Sequence, residues 1–82
     1  MRLDKYLKVS RLIKRRTIAN EACDSQRVKV NGKIARASYE IKIGDIIELS
    51  MGGHLLKAEV LIVTEHVTKD GASSLFNVIE QI

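Results

Sequence analysis

Residues 28–32, with the sequence VKVNG, constrain the fold of this 82-residue chain more than any other segment. Two valines alternate with a lysine, which is the pattern of a strand with one buried face. Asparagine followed by glycine favours a two-residue hairpin turn, because both central positions of that turn need a positive φ. A return strand is therefore predicted at Lys33 and Ile34, and the chain must contain an antiparallel sheet.

Two amphipathic helices are predicted before this hairpin, over residues 2–10 and 15–24. At about 100° per residue, the apolar and charged side chains of the first helix separate onto two faces. Its predicted core face consists of Leu3, Tyr6, Leu7 and Ser10, and its predicted charged face of Asp4, Lys5, Lys8 and Arg11. The second helix carries an apolar stripe of Ile18, Ala19, Ala22 and Cys23. The small side chains of this stripe allow the two helices to approach closely.

The rest of the chain reads as strands and turns. Apolar runs predict strands at 46–49, 55–63 and 74–79, separated by a turn at 44–45, a break at 51–53 and a polar loop at 64–72. Two helices followed by strands predict the α+β class, with two N-terminal helices packed on a small, mainly antiparallel sheet. We expect a single domain over residues 1–82, with a core over 2–50 and a C-terminal strand extension over 51–82.

Positive charge is concentrated in the first half of the chain. Residues 1–36 contain eleven Lys or Arg against three acids, whereas residues 37–82 contain three Lys against seven acids. The two nets, +8 and −4, favour an anionic partner for the first half, most often nucleic acid, over a merely solvated basic face. Lys14, Arg15 and Arg16 lie at the start of the second helix, where cations oppose the helix dipole. A phosphate bound there removes the conflict, because the free backbone N–H groups and the helix dipole both favour an anion at this end of the helix.

The sequence shows none of the motifs that catalysis or metal binding requires. It has no paired carboxylates, no Ser/His/Asp set and no phosphate loop, and His54 and His66 lack metal-ligand spacing. Cys23 lies on the apolar stripe, so we expect a buried small side chain rather than a reactive thiol. We therefore expect no enzyme, no catalytic residue, no metal and no cofactor. A lone cysteine and the lack of a long apolar segment indicate a cytoplasmic protein without membrane partners.

Four short motifs, in this order and at these spacings, resemble the S4 RNA-binding domain. They are Arg2-Leu3-Asp4 with Leu7, Arg15-Arg16 with Ala19, Val28-Lys29-Val30-Asn31-Gly32, and Gly44-Asp45-Ile46-Ile47. The resemblance covers residues 2–50 and implies an S4-type fold that binds RNA. One position departs from the family, which usually has glycine where this chain has Gln26. Either Ser25 and Gln26 turn the chain differently, or Gln26 adopts a positive φ at some cost.

The first sixteen residues, MRLDKYLKVSRLIKRR, are similar to the RqcP branch of stand-alone S4 proteins, which is related to the small heat-shock S4 protein family. This resemblance implies binding to stalled large ribosomal subunits that carry peptidyl-tRNA, with contacts to large-subunit rRNA and to the tRNA. It also implies support of C-terminal alanine tailing, with a NEMF-family factor as partner, in ribosome-associated quality control. We expect a monomer that binds and positions RNA.

The predicted RNA-binding residues are the basic side chains of the two helices and the first strand, namely Arg2, Lys5, Lys8, Arg11, Lys14, Arg15, Arg16 and Lys29. Arg2 and Arg16 occupy positions that the family motif uses. No second acid is placed to form a catalytic pair with Asp4, so we expect Asp4 to cap the first helix or to orient a neighbouring cation.

Two other functions remain open at this point. One is an S4-type rRNA-binding factor in ribosome recycling or assembly, without a tailing role. The other is an S4 fragment of an RNA-modifying enzyme, such as a pseudouridine synthase, or of a tRNA synthetase. The start at Met1, followed at once by Arg-Leu-Asp, argues against a fragment.

Overall fold

The computed structural model describes residues 1–68 and 70–82, and its elements follow the α+β order predicted from the sequence. The helices are α1 (Leu3–Val9) and α2 (Arg16–Asp24), and a 3₁₀ helix spans Ala72–Leu75. The strands are β1 (Val28–Val30), β2 (Lys33–Ile34), β3 (Ile46–Met51), β4 (His54–Val60) and β5 (Phe76–Gln81). They form one antiparallel sheet in the order β2-β1-β3-β4-β5. Lys69, in the predicted polar loop, lies outside the described residues.

The β1–β2 hairpin has the predicted two-residue turn. Val30 pairs with Lys33, and the intervening Asn31 and Gly32 have φ of 54° and 82°. The Asn31 side chain also donates to Oδ1 of Asp45 at 3.0 Å and accepts the N–H of Ile46 at 3.0 Å. Two motifs that are separate in sequence, Val-x-Val-Asn-Gly and Gly-Asp, are therefore joined in space.

The two helices cover one face of the sheet, and their apolar faces form the core with β1 and β3. The four residues of the predicted α1 core face, Leu3, Tyr6, Leu7 and Ser10, are all buried. Tyr6 is fully buried, and its hydroxyl donates to the carbonyl of Leu75 at 2.7 Å. This bond ties α1 to the segment that enters β5, so the last strand closes the core that the helices begin.

Two side chains depart from the predicted faces. Asp4, expected on the charged face of α1, is only 2% exposed because it turns toward α2 and accepts hydrogen bonds there. Ile18, expected in the buried stripe of α2, is 38% exposed. It lies on the flank of the stripe, beside Met51 in a surface depression, whereas Ala19 and Ala22 face the core.

The last two strands are displaced from their predicted ends. β4 ends at Val60 rather than at 63, and β5 begins at Phe76 rather than at 74. The reason is that the 3₁₀ helix places the Leu75 carbonyl where it accepts the N–H groups of Leu61 and Ile62. Neither helix within residues 1–68, nor any in 70–82, is long and apolar enough to cross a bilayer.

The exit of α2 is the Schellman type of helix end. Gln26 has φ of 61°. Its N–H donates to the carbonyl of Cys23, and the N–H of Arg27 donates to the carbonyl of Ala22. Of the two conformations considered for this turn, the structure adopts the one with positive φ at Gln26. A residue with a Cβ is strained in this conformation, and glycine is not.

Gln26→Gly is therefore expected to raise the free energy of unfolding by about 0.5–1 kcal/mol, because glycine adopts this φ without steric conflict. Chemical denaturation measures the difference. Ser25→Gly is the matched control, since Ser25 has φ of −85° and glycine there only adds freedom to the unfolded chain. The control should lose stability. A Gln26→Gly protein less stable than the wild type would mean that the glutamine side chain outweighs the strain.

Candidate nucleic-acid interface

A buried carboxylate, Asp4, lies between the starts of the two helices and holds two arginines. Its Oδ1 accepts from Nε of Arg2 at 3.2 Å and from the backbone N–H of Lys5 at 2.8 Å. Its Oδ2 accepts from Nη2 of Arg2 at 3.4 Å, from Nε of Arg16 at 3.5 Å and from Nδ2 of Asn20 at 3.4 Å. Of the two roles expected for Asp4, it orients neighbouring cations; it lies inside α1 rather than at the N-cap, which is Arg2, and accepts one first-turn N–H. We call Arg2 and Arg16, joined through Asp4, the arginine pair.

The charge state of Asp4 follows from opposing effects. Burial raises the pKa of this carboxyl, and the hydrogen bonds from Arg2 and Asn20, the charge of Arg16 and the Lys5 N–H lower it. The donors prevail, and the pKa lies below its usual value of 3.8. Asp4 is therefore an anion at neutral pH, and it attracts both guanidinium groups.

The arginine pair keeps hydrogen-bond donors free for a ligand. Arg16 contacts Asp4 only through Nε, and Arg2 through Nε and Nη2. Within residues 1–68 and 70–82, no hydrogen bond uses Nη1 of Arg2 or either terminal nitrogen of Arg16. Both side chains are about half exposed, at 51% and 49%. Such fixed, outward-facing guanidinium ends suit phosphate oxygens or base edges.

The start of α2 adds further positive potential beside this pair. Arg15 occupies the N-cap in an extended conformation, and its side chain makes no capping hydrogen bond. The start of α1 differs, because the N–H groups of Leu3 and Asp4 donate to the carbonyls of Tyr39 and Ala37. Backbone donors for an anion are therefore offered by α2 rather than by α1.

The remaining predicted cations of the helical region lie on the other flank of α1. Lys5 forms an ion pair with Glu65, which belongs to the segment between β4 and the 3₁₀ helix. Lys8, Arg11 and Lys14 border a cleft of about 180 Å³ against that segment. Arg11 adopts the left-handed φ of 62° just after the end of α1.

Lys29 is the predicted site residue that the fold separates from the others. It projects from β1 on the face of the sheet opposite the helices, because Val28 and Val30 on either side of it are buried. Across the sheet it is opposite Glu48, which in turn pairs with Lys57 at 3.6 Å. Alternating charges on this face leave Lys29 outside the basic surface of the helices, and its RNA contact stays a prediction.

Three contributors to this region were not among the predicted site residues. Asn20 contacts the Asp4 carboxylate across 16 positions of sequence, and Glu65 contacts Lys5 across 60 positions. Arg36 lines a groove of about 570 Å³ together with Arg2, between α2 and the segment after β2. Asn20 could have been predicted, because it lies one helical turn after Arg16 on the same side of α2. The contact of Glu65 with Lys5 could not, because helical periodicity says nothing about a partner 60 positions away.

Cys23 is buried, as its position on the apolar stripe predicts. Burial, together with the negative charges of Asp4 and Asp24, raises the pKa of its thiol to about 11. The thiolate is therefore scarce at neutral pH, and Cys23 contributes packing rather than nucleophilic chemistry.

Comparisons with known proteins agree with the motifs. The S4 domain family model matches residues 1–47. The chain is 46% identical over 81 residues to the RQC P-site tRNA stabilizing factor of Streptococcus pneumoniae, covering 99% of this chain and 92% of that protein. It is 50% identical over 78 residues to the protein of the same name from Halalkalibacterium halodurans, covering 95% and 89%.

A solved structure shares the whole architecture. The trimeric structure of Vibrio cholerae heat shock protein 15 superposes with a TM-score of 0.87 at 26% identity, covering 95% of this chain and 80% of that one. The S4-type α+β fold and both resemblances inferred from the motifs are confirmed by these matches. The similarity to the stabilizing factors continues through β4 and β5, beyond the part that the family model covers.

Asp4→Asn is expected to destabilise the protein by about 1–3 kcal/mol at pH 7, because two guanidinium groups lose their counter-charge. The pKa of Asp4 is lower when folded, so its stabilisation is complete above about pH 4 and is lost as the pH falls through that lowered pKa. The difference in the free energy of unfolding between the wild type and Asp4→Asn should therefore become smaller in acid. Denaturation curves from pH 7 to pH 2.5 measure it.

Asp24→Asn is the matched control, since it removes an exposed carboxylate from the C-terminal end of α2. A negative charge there opposes the helix dipole, so this variant should be neutral or slightly stabilising. A loss of unfolding free energy on Asp4→Asn that stays constant with pH would contradict the ion-pairing role of Asp4.

Proposed function

The chain belongs to the S4-domain family and, within it, to the group named RQC P-site tRNA stabilizing factors, and on this basis we propose that it binds RNA on large ribosomal subunits during ribosome-associated quality control. The subunits it recognises carry peptidyl-tRNA, and the protein contacts both large-subunit rRNA and the tRNA. By stabilising the tRNA in the P site, it supports the addition of C-terminal alanine by a NEMF-family factor. It acts in the cytoplasm as a monomer.

The observation that carries this proposal is the arginine pair. Two guanidinium groups at the N-terminal ends of separate helices are held by one buried carboxylate, and both side chains are about half exposed. Because Asp4 restricts these side chains before RNA arrives, less conformational entropy is lost on binding. Fixed donors also impose a geometry on the phosphates they contact, as the positioning of a tRNA against rRNA requires.

The mechanism is binding without a chemical step. The site offers cations and N–H donors, which hold phosphates, and its buried thiol stays protonated. The protein therefore acts by lowering the free energy of one arrangement of subunit and tRNA. Each round of alanine addition then begins from the same arrangement.

Co-sedimentation with purified large subunits tests the proposal. Subunits that carry peptidyl-tRNA should bind this protein more tightly than vacant subunits, since only they offer both RNA surfaces. Equal binding to the two kinds would favour the alternative of an rRNA-binding factor in recycling or assembly. No binding to either would contradict the proposed function.

Binding should weaken steeply with salt. If about four phosphates are neutralised, the affinity for large subunits falls by about a hundredfold or more between roughly 50 and 200 mM monovalent salt. Co-sedimentation across this range measures the slope. Lys57→Ala should leave the slope unchanged, because Lys57 lies on the face of the sheet away from the helices. A flat salt response of the wild type would contradict a phosphate-binding surface.

Arg16→Ala should lower the affinity for large subunits by about 1–3 kcal/mol, the range of a charge-assisted hydrogen bond. The loss of stability should be small, below about 1 kcal/mol, because Arg16 is half exposed and Arg2 and Asn20 still bind the buried Asp4 carboxylate. Arg16→Lys should restore only part of the affinity, since an ammonium group lacks the guanidinium fork.

Thermal melts beside the binding assay separate structural from functional loss at Arg16. An Arg16→Ala protein that is strongly destabilised, yet binds normally while folded, would remove Arg16 from the interface. The other member of the pair, Arg2, provides a comparison, because Arg2→Ala should reduce binding in the same way.

A further inference from the structure

The flank of α1 that faces away from α2 carries a cleft that the arginine pair does not use. Its walls are the end of α1 on one side and the segment between β4 and the 3₁₀ helix on the other. The lining residues are Lys8, Val9, Arg11, Lys14, Glu65, Val67 and Thr68. We call this the basic cleft.

The cations of the basic cleft form no ion pair with any of the described residues. The ion pairs of that part of the chain use Arg2, Lys5, Arg16, Lys57 and the N-terminal amine as cations. Lys8, Arg11 and Lys14 form none, and all three are exposed. Three positive charges without an ion pair, against one carboxylate, attract an extended anion along this narrow cleft.

The cleft is separate from the arginine pair because of the helical geometry of α1. Asp4 turns toward Arg16 and Asn20 of α2, whereas the next residue, Lys5, turns to the opposite flank and meets Glu65. Successive residues of a helix are about 100° apart, so the two flanks of α1 face different directions. One anion bound at the arginine pair leaves the basic cleft vacant.

The lining of the cleft favours a phosphate backbone over a base. Its side chains are cations, a hydroxyl, a carboxylate and two valines, and no aromatic ring is among those that the structure places there. Recognition of unpaired bases relies mainly on stacking, for which this lining offers one guanidinium plane, that of Arg11. Backbone recognition needs donors and positive charge along a groove, and three cations supply both.

Glu65 is the one anion that lines the cleft among the described residues. It is held there by its ion pair with Lys5, across 60 positions of sequence. Val63 and Val67, on either side of it, pack against the core and fix the segment that carries it. The hydrogen bond and charge of Lys5, with smaller contributions from His66 and the N-terminal amine, hold the pKa of Glu65 below its usual value.

We infer that the basic cleft is a second binding site for the RNA sugar–phosphate backbone, and that Glu65 limits its affinity by repelling the phosphates. This inference rests on the proposed function and assigns to the protein two RNA-binding surfaces, one on each flank of α1. A factor that contacts two RNA molecules in one complex needs two such surfaces. Glu65 keeps the cleft from binding every RNA tightly, because a repulsive charge selects against weakly matched ligands.

A double-mutant cycle on large ribosomal subunits tests the inference. The proteins are the wild type, Glu65→Gln, a cleft variant with Lys8→Gln, Arg11→Gln and Lys14→Gln, and the cleft variant with Glu65→Gln added. Glu80→Gln is the matched control, because it changes the net charge by the same amount as Glu65→Gln. Glu80 is exposed on β5, where it lies opposite Lys57 of β4, outside the cleft. Thermal melts establish that each protein is folded at the assay temperature, and Lys8→Gln alone replaces the cleft variant if that protein is not.

Glu65→Gln should raise the affinity for large subunits by about fivefold at low salt. This factor corresponds to removing the repulsion between one carboxylate and one phosphate charge about 4 Å apart in water. It should also steepen the salt dependence, because one more cation is released to phosphate. In the cleft variant the same substitution should have no effect. Glu80→Gln should change the affinity little in either background.

Two results would overturn the basic cleft while leaving the proposed function intact. One is an equal gain from Glu65→Gln and Glu80→Gln, which would mean that only net charge matters. The other is a gain from Glu65→Gln that persists in the cleft variant, which would place the effect elsewhere. Failure of the wild type to bind large subunits would instead overturn the proposed function, and the cleft with it.

Discussion

The buried carboxylate of Asp4 is the interaction on which the helical half of this protein depends. Removing a charge from water is costly unless hydrogen bonds and opposite charges replace its hydration. Both oxygens of Asp4 are satisfied, by the first turn of α1, by the preceding arginine and by two residues of α2. This requirement holds α2 against α1 in one orientation, and the same contacts aim the arginines outward. One side chain thereby serves both the packing of the helices and the preparation of the interface.

The C-terminal segment completes the structure that Asp4 begins. The carbonyl of Leu75 accepts the Tyr6 hydroxyl and the N–H groups of Leu61 and Ile62. Through this atom, α1, the end of β4 and the start of β5 are fixed together. The segment between them is thereby held against α1, and it carries Glu65 to Lys5. The strands that follow the S4 motifs therefore shape the electrostatics of the basic helix as well as extending the sheet.

Position in the fold decides what each cation contributes. Lys29 alternates with Glu48, Lys57 and Glu80 across the outer face of the sheet, where neighbouring charges cancel. The helical cations lie beside few acids, so their fields add, and Asp4 and Glu65 divide them into two groups. An equal number of lysines and arginines spread evenly over the surface would attract RNA without orienting it.

The sequence by itself determined the local structure and the family. Asn31-Gly32 imposes the hairpin because both residues adopt positive φ angles, and the spacing of Leu3, Tyr6 and Leu7 imposes α1. The four motifs indicate an S4 domain from their residues and spacings alone. For the turn after α2, the sequence allows either a different turn at Ser25 and Gln26 or a positive φ at Gln26. The backbone geometry of the fold decides for the positive φ.

Only the tertiary structure decided which charges meet. That Asp4 is buried, that Arg16 shares it with Arg2, and that Lys5 meets Glu65 depend on contacts 2, 12 and 60 residues apart in sequence. The exposure of Ile18 likewise follows from how α2 packs on its neighbours. Periodicity reports the direction of a side chain relative to its own helix or strand, and it contains no information about which element lies opposite. The partners of a charged side chain are therefore fixed only when the helices and the sheet pack together.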